Sequence, residues 1–115
     1  MGQFTYEGTV KADIEDRLLM HVQVVISDKL RRREAFLFTW SNDPRREGGR
    51  TTVWMNPAAA IAFTYQGTWS IALNRAWLEA LAYTANSPGG LRLIREPAPA
   101  EVDAVPGSSS RLTGS

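Results

Sequence analysis

Between Ala35 and Gln66 apolar and polar positions alternate in three runs, AFLFTW, RTTVWM and AIAFTYQ. Phe36, Phe38 and Trp40 fall on one side and Ala35, Leu37 and Thr39 on the other, the period of two that marks a β-strand. The polar stretch after Trp40 holds Asn42, Asp43, Pro44 and a Gly48-Gly49 pair, so Arg50 to Met55 is expected to return antiparallel to the first strand. Asn56-Pro57 ends that strand, and Ile61, Phe63 and Tyr65 outline a third, closed by Gly67 in a meander. Upstream, Phe4 and Tyr6 alternate with Gln3, Thr5 and Glu7 before Gly8, which predicts a short strand and turn, with Val10 to Ala12 as the return of a hairpin. Downstream, Leu91 to Glu96 predicts a final strand with Leu91 and Leu93 inward.

Two other segments carry helical spacing. Leu18, Val22, Val25, Ile26 and Leu30 form one stripe, with Leu19 at its edge and His21 one position off it. Asp13 is expected to cap this helix, Glu15 and Asp16 to sit at its positive pole, and Lys29, Arg31, Arg32 and Arg33 at its negative pole. A second helix is expected from about Asn74 to Ala85, with Trp77, Leu78, Leu81 and Ala85 as its stripe and Asn86 to Gly90 as its stop. Trp77, Tyr83 and Trp69 read as core or core-edge residues. Together these elements predict an α+β fold: a two-layer domain in which a mostly antiparallel sheet carries two amphipathic helices on one face. From Pro97 onward the chain turns to Pro, Ala, Gly and Ser, too poor in large apolar groups to offset ordering entropy. The expected division is one domain over residues 1–96 and a flexible tail over 97–115.

Composition narrows the chemistry. At 115 residues the chain fits one domain, which buries roughly two thirds of its unfolded surface. The chain is 43% hydrophobic and 22% charged, ordinary values for a globular domain. It has no cysteine and one histidine, so thiolate and multi-histidine zinc sites are out. The opening MGQFTYEGTV lacks a basic then apolar leader pattern, and no apolar run reaches the ~20 residues of a membrane helix. A cytoplasmic location with no membrane partner is the expectation. The net charge of +1 hides an asymmetry, since Lys29 to Arg50 holds seven cations against three anions.

That basic segment gives the first candidate site. If Arg31, Arg32 and Arg33 meet Arg45, Arg46 and Arg50 at one end of the sheet, they form a phosphate-contacting patch; otherwise they serve the helix dipole and solubility. The second candidate is the sheet face away from the helices, where alternation places Leu37, Thr39, Thr52, Trp54 and Thr64. Trp54 there could stack on a base, be covered by a second copy of the chain, or pack within the monomer. Asp13, Glu15 and Asp16 read as caps and dipole partners rather than metal ligands, and His21 reads as structural. Gly48-Gly49-Arg50 and Pro88-Gly89-Gly90 match neither GxxxxGK[ST] nor GxGxxG and read as turns. Asn74-Arg75 could meet an anion at a helix start, but asparagine there is first a cap.

The segments FTYEGTVKADIEDRLLMHVQVVISDKLRR, AFLFTW, GRTTVWMNP and LNRAWLEALAYTANSPGGLRL resemble a family of small, stand-alone actinobacterial proteins of unknown function. Members often carry the label "ATP-dependent DNA ligase", and the resemblance covers residues 1 to about 97. Adenylating ligases use a Lys-x-Asp-Gly motif whose lysine attacks the α-phosphate of ATP. Here Lys11-Ala12-Asp13-Ile14 keeps the lysine and aspartate and departs at the glycine. The sequence therefore favours a non-catalytic binding or assembly module, with no catalytic residues, no cofactor and no metal. A homo-oligomer is the first expected partner arrangement and nucleic acid the second; nucleotidyl transfer through Lys11 is the enzyme alternative.

Overall fold

The computed structural model describes residues 1–41, 49–67 and 72–98. Among these residues six strands and two helices run in the order β1 (Gly2–Tyr6), β2 (Val10–Ile14), α1 (Asp16–Arg31), β3 (Phe36–Ser41), β4 (Arg50–Met55), β5 (Ile61–Thr64), α2 (Arg75–Ala85) and β6 (Leu91–Arg92). The α+β class and the mostly antiparallel pairing follow the hydrophobic pattern. The strands, however, divide between two three-stranded sheets, β2-β1-β5 and β4-β3-β6, rather than forming one meander.

The division has a local cause between β4 and β5. After Met55 the Asn56 side chain accepts from the Ala58 N–H at 2.9 Å, and its carbonyl accepts from the Ala59 N–H at 3.1 Å. This turn includes Pro57, which has no N–H to extend a ladder. The chain then crosses to β1: the Glu7 N–H donates to the Ala60 carbonyl at 2.7 Å, and the Glu7 carboxylate accepts from the Ala60 N–H at 2.9 Å. Ile61 to Thr64 therefore pairs antiparallel with β1, Phe63 opposite Phe4. The last strand is also shorter than expected and lies parallel to β3, Leu91 beside Phe38 and Arg92 beside Thr39. Gly90 makes that approach feasible: its φ is +84°, and a Cβ there would stand 2.4 Å from the Leu37 carbonyl oxygen.

One core joins the two sheets and the helices. Phe4 of β1 meets Phe38 and Trp40 of β3 edge-on, with ring centroids 5.1 and 5.6 Å apart. Phe4, Phe38, Leu19, Ile26, Met55, Leu81 and Leu91 are completely or almost completely buried. On α1 the buried stripe runs through Leu19, Val22, Val25, Ile26 and Lys29, with His21 also inside. It is wider than the expected one: Leu19 and His21, on opposite sides of the Val22 line, are fully buried, while Leu18 and Leu30 are only partly buried. Glu15, not Asp13, is the cap of α1, its carboxylate accepting from the Arg17 and Leu18 N–H groups. Asp13 belongs to β2 and accepts from the Gln3 amide at 3.2 Å. On α2, capped by Asn74, Trp77, Leu81 and Ala85 are buried as expected. Tyr83 corrects the reading: it is 79% exposed, on the outside of α2.

Candidate functional site

The outer face of β4-β3-β6 is built in rows. Register places Trp54 opposite Leu37, Thr52 opposite Thr39 and Arg50 opposite Ser41, while Arg92 of β6 lies beside Thr39 on its other side. Alternation turns Phe36, Phe38, Val53, Met55 and Leu91 inward and leaves these residues outward. Successive rows are about 7 Å apart, so the face grades from an apolar row, through a hydroxyl row, to a basic end. Trp54 is 55% exposed. Its backbone is anchored, because its carbonyl accepts from the Tyr6 hydroxyl of the other sheet.

Arg50 does not converge with the arginines at the end of α1. Arg31, Arg32 and Arg33 lie at and just after the end of α1, next to the Phe36 end of β3, whereas Arg50 pairs with Ser41 at the other end. Six strand residues separate them, about 17 Å along β3. The first group is also largely spent internally. Asp28 accepts from Arg32 at 2.8 Å and lies 3.9 Å from Arg31, and Glu34 lies 3.4 Å from Arg32. Lys29 is buried, donating to Glu34 at 2.8 Å and to Asn86 at 2.5 Å. The Lys29 ammonium holds the Glu34 carboxyl below its ordinary range. Arg45 and Arg46 lie outside the described residues.

What the structure does bring to Arg50 is Arg92, across a groove of about 440 Å³ lined also by Thr39, Ser41 and Thr52. Arg92 is not among the sequence-derived candidates. The signal was present, since placing Leu91 and Leu93 inward sends Arg92 to the face that carries Trp54. Thr64, by contrast, belongs to β5 in the other sheet, so it does not share the Trp54 face.

Several other polar groups are held in structural networks. His21 is fully buried; its Nδ1 lies 2.8 Å from the Arg17 carbonyl and its Nε2 accepts from the Asn74 N–H at 2.8 Å. A carbonyl only accepts and an N–H only donates, so the ring carries its proton on Nδ1 and both nitrogens are engaged. Arg17 grips Glu96 through two bonds of 3.0 and 2.8 Å, and the Asn74 amide donates to the same carboxylate at 2.9 Å. These donors, Arg17 first, pull the Glu96 carboxyl down to about 2. Asp16 faces the N–H groups of Gln66 and Gly67 at 3.3 and 3.1 Å. Asp13, Glu15 and Asp16 thus serve three separate local roles, and among the described residues no three His, Asp or Glu side chains gather as a metal site. Lys11 is exposed on β2, opposite Thr5, far in sequence and sheet from the Arg50 groove. No helix among the described residues is long and apolar enough to cross a membrane.

Fold and groove together define a small α+β domain with an open, donor-rich outer sheet face. The chain belongs to a family described as a domain of unknown function, DUF7882, which matches residues 1–96. No curated protein and no solved structure matches it.

Proposed function

We propose that this domain is a non-catalytic binding or assembly module whose working surface is the outer face of β4-β3-β6. The observation that carries the reading is Trp54, a large aromatic left 55% exposed on a strand whose backbone is fixed from both sides. Tryptophan presented rigidly beside Leu37 costs little entropy to engage, which is what an interface anchor needs. A second copy of the chain is the first partner in this reading, in a cytoplasmic setting. Light scattering over a range of concentrations tests it. Trp54→Ala should abolish self-association while the far-UV spectrum is kept, and an oligomer unaffected by the substitution would remove Trp54 from the interface.

A second reading, association with nucleic acid, is favoured by Arg50 and Arg92 on the same face. Nucleotidyl transfer through Lys11, the activity implied by the ligase label of the actinobacterial proteins the chain resembles, has less support. The segment lacks the motif's glycine, and Ala12 beside it is buried. Incubation with labelled ATP and Mg²⁺ tests that chemistry. A covalent adduct lost in Lys11→Ala would establish it, and no adduct would dismiss it.

A further inference from the structure

The basic half of the outer face has the composition of an anion seat. Arg50 and Arg92 line the groove with Thr39, Ser41 and Thr52, and the described strands β3, β4 and β6 contain no carboxylate. Thr39 and Thr52 lie 2.8 Å apart, hydroxyl to hydroxyl. One of the two donates to the other, so the second proton remains free to point into the groove. Two guanidinium forks and this O–H give many donors and few acceptors, the complement of a phosphate group. The contrast with Arg32 and Lys29, each paired with a carboxylate, is direct.

Gly89 shapes this seat. A Cβ at Gly89 would stand 2.2 Å from the Arg92 Nη2 atom, so the guanidinium lies where any side chain at 89 would be. The turn after α2 thereby sets where the Arg92 fork sits, and β6 fixes its backbone beside Thr39.

We infer that this face binds single-stranded nucleic acid, its phosphodiester groups in the Arg50–Arg92 groove and an unpaired base on Trp54. The inference rests on the outer-face reading above and on its nucleic-acid form. Two further features support the single strand. Trp54 lies one row, about 7 Å, from Thr52 and two rows from Arg50, the scale of successive units in an extended nucleotide chain. A base can lie on an exposed indole only when it is unpaired, and stacking of this kind tolerates any sequence.

Fluorescence anisotropy of a labelled oligothymidylate with the full chain, across a salt series, tests the inference. Affinity should fall with salt, and Arg50→Gln or Arg92→Gln should each lower the log–log slope by roughly 0.7, one phosphate contact on a single strand. Trp54→Ala should weaken binding about ten-fold or more with the slope unchanged. Gly89→Ala should weaken it while keeping every charge, by displacing the Arg92 fork. The pair Arg31→Gln and Arg32→Gln, at the far end of β3, should change neither quantity. Absence of binding at low salt, or a slope indifferent to Arg50 and Arg92, overturns the inference. Displacement by inorganic phosphate at low millimolar concentration as complete as by unlabelled oligonucleotide would also overturn it, in favour of a small anion. Solution mass measured on the same samples separates the readings. A Trp54-dependent dimer without oligonucleotide binding keeps the interface and removes this inference, whereas loss of both removes the face as a functional surface.

Discussion

The Asn74 backbone N–H donates to His21 Nε2 at 2.8 Å inside the protein, joining the cap of α2 to the first turns of α1. At the other end Lys29 of α1 donates to Asn86, the residue that closes α2. The two helices therefore run side by side in the same direction, pinned at both ends by polar groups rather than by apolar packing alone. The His21 ring also lies 4.5 Å from the Trp77 ring centroid.

His21→Leu should be strongly destabilising although it makes the interior more apolar. It preserves volume approximately but leaves the Asn74 N–H buried without an acceptor, a loss on the order of 2–4 kcal/mol when the Trp77 contact is included. A urea melt should show an earlier midpoint with an unchanged slope. A midpoint within error of the parent would mean that the Asn74 N–H finds another partner.

Glu96 makes the fold sensitive to acid. Its folded value near 2 lies below its ordinary 4.5, so the contribution of the carboxylate is complete above about 4.5 and is lost as pH falls toward about 2. Glu96→Gln should lower stability at neutral pH and flatten its decline over that window. A chain ending at residue 98 should keep the parent's stability, while one ending at residue 95 should behave like Glu96→Gln, because Arg17 and Asn74 lose the same partner. If both truncations melt alike, Glu96 is not the tie we describe.

How far the fold was legible follows from what each residue pattern can encode. Alternation in AFLFTW and RTTVWM assigned both faces of β3 and β4, and the Asn74 cap with the Asn86 to Gly90 stop bounded α2. Pairing partners were not legible for β5, because Ile61, Phe63 and Tyr65 specify a buried face and not the neighbour that covers their edge. The chain could have returned to β4; the Asn56-Pro57 turn and the Glu7–Ala60 bonds take it to β1 instead. The site divides in the same way. Trp54, Thr39 and Thr52 share a face by periodicity alone. That Arg50 meets Arg92 rather than Arg31 depends on β6 lying parallel beside β3, a contact between segments about fifty residues apart. The burial of His21 was not legible, because it lies beside the apolar stripe and its partner, the Asn74 N–H, comes from a distant helix start.

Tyr65 should report alkaline loosening. Burial, reinforced by the nearby Asp16 carboxylate, pushes its phenol up to about 12 from an ordinary 10, and its hydroxyl donates to the Gln23 side chain at 2.5 Å. The unfolded chain releases this proton first, so stability is intact below about 10 and falls as pH rises toward about 12. Absorbance titration at a phenolate wavelength should show one tyrosine ionising late in the folded protein, and Tyr65→Phe should remove that step and the matching fall in stability. Three tyrosines titrating together in the folded state would contradict the assignment.

Two adjacent glycines should answer the same substitution in opposite ways. Gly90→Ala places a side chain at a φ of +84° and drives its Cβ to 2.4 Å from the Leu37 carbonyl. Backbone at that point cannot retreat without releasing β6 from β3, so a loss of about 2 kcal/mol or more is expected. Gly89→Ala meets only the end of the Arg92 side chain, which can swing into solvent, so stability should change by less than about 0.5 kcal/mol. Thermal melts of the two variants separate a glycine that holds the strand from one that makes room for a guanidinium. Equal losses would show that Arg92 is locked against the turn, and Gly89 would then be a structural residue of the fold rather than the floor of an anion seat.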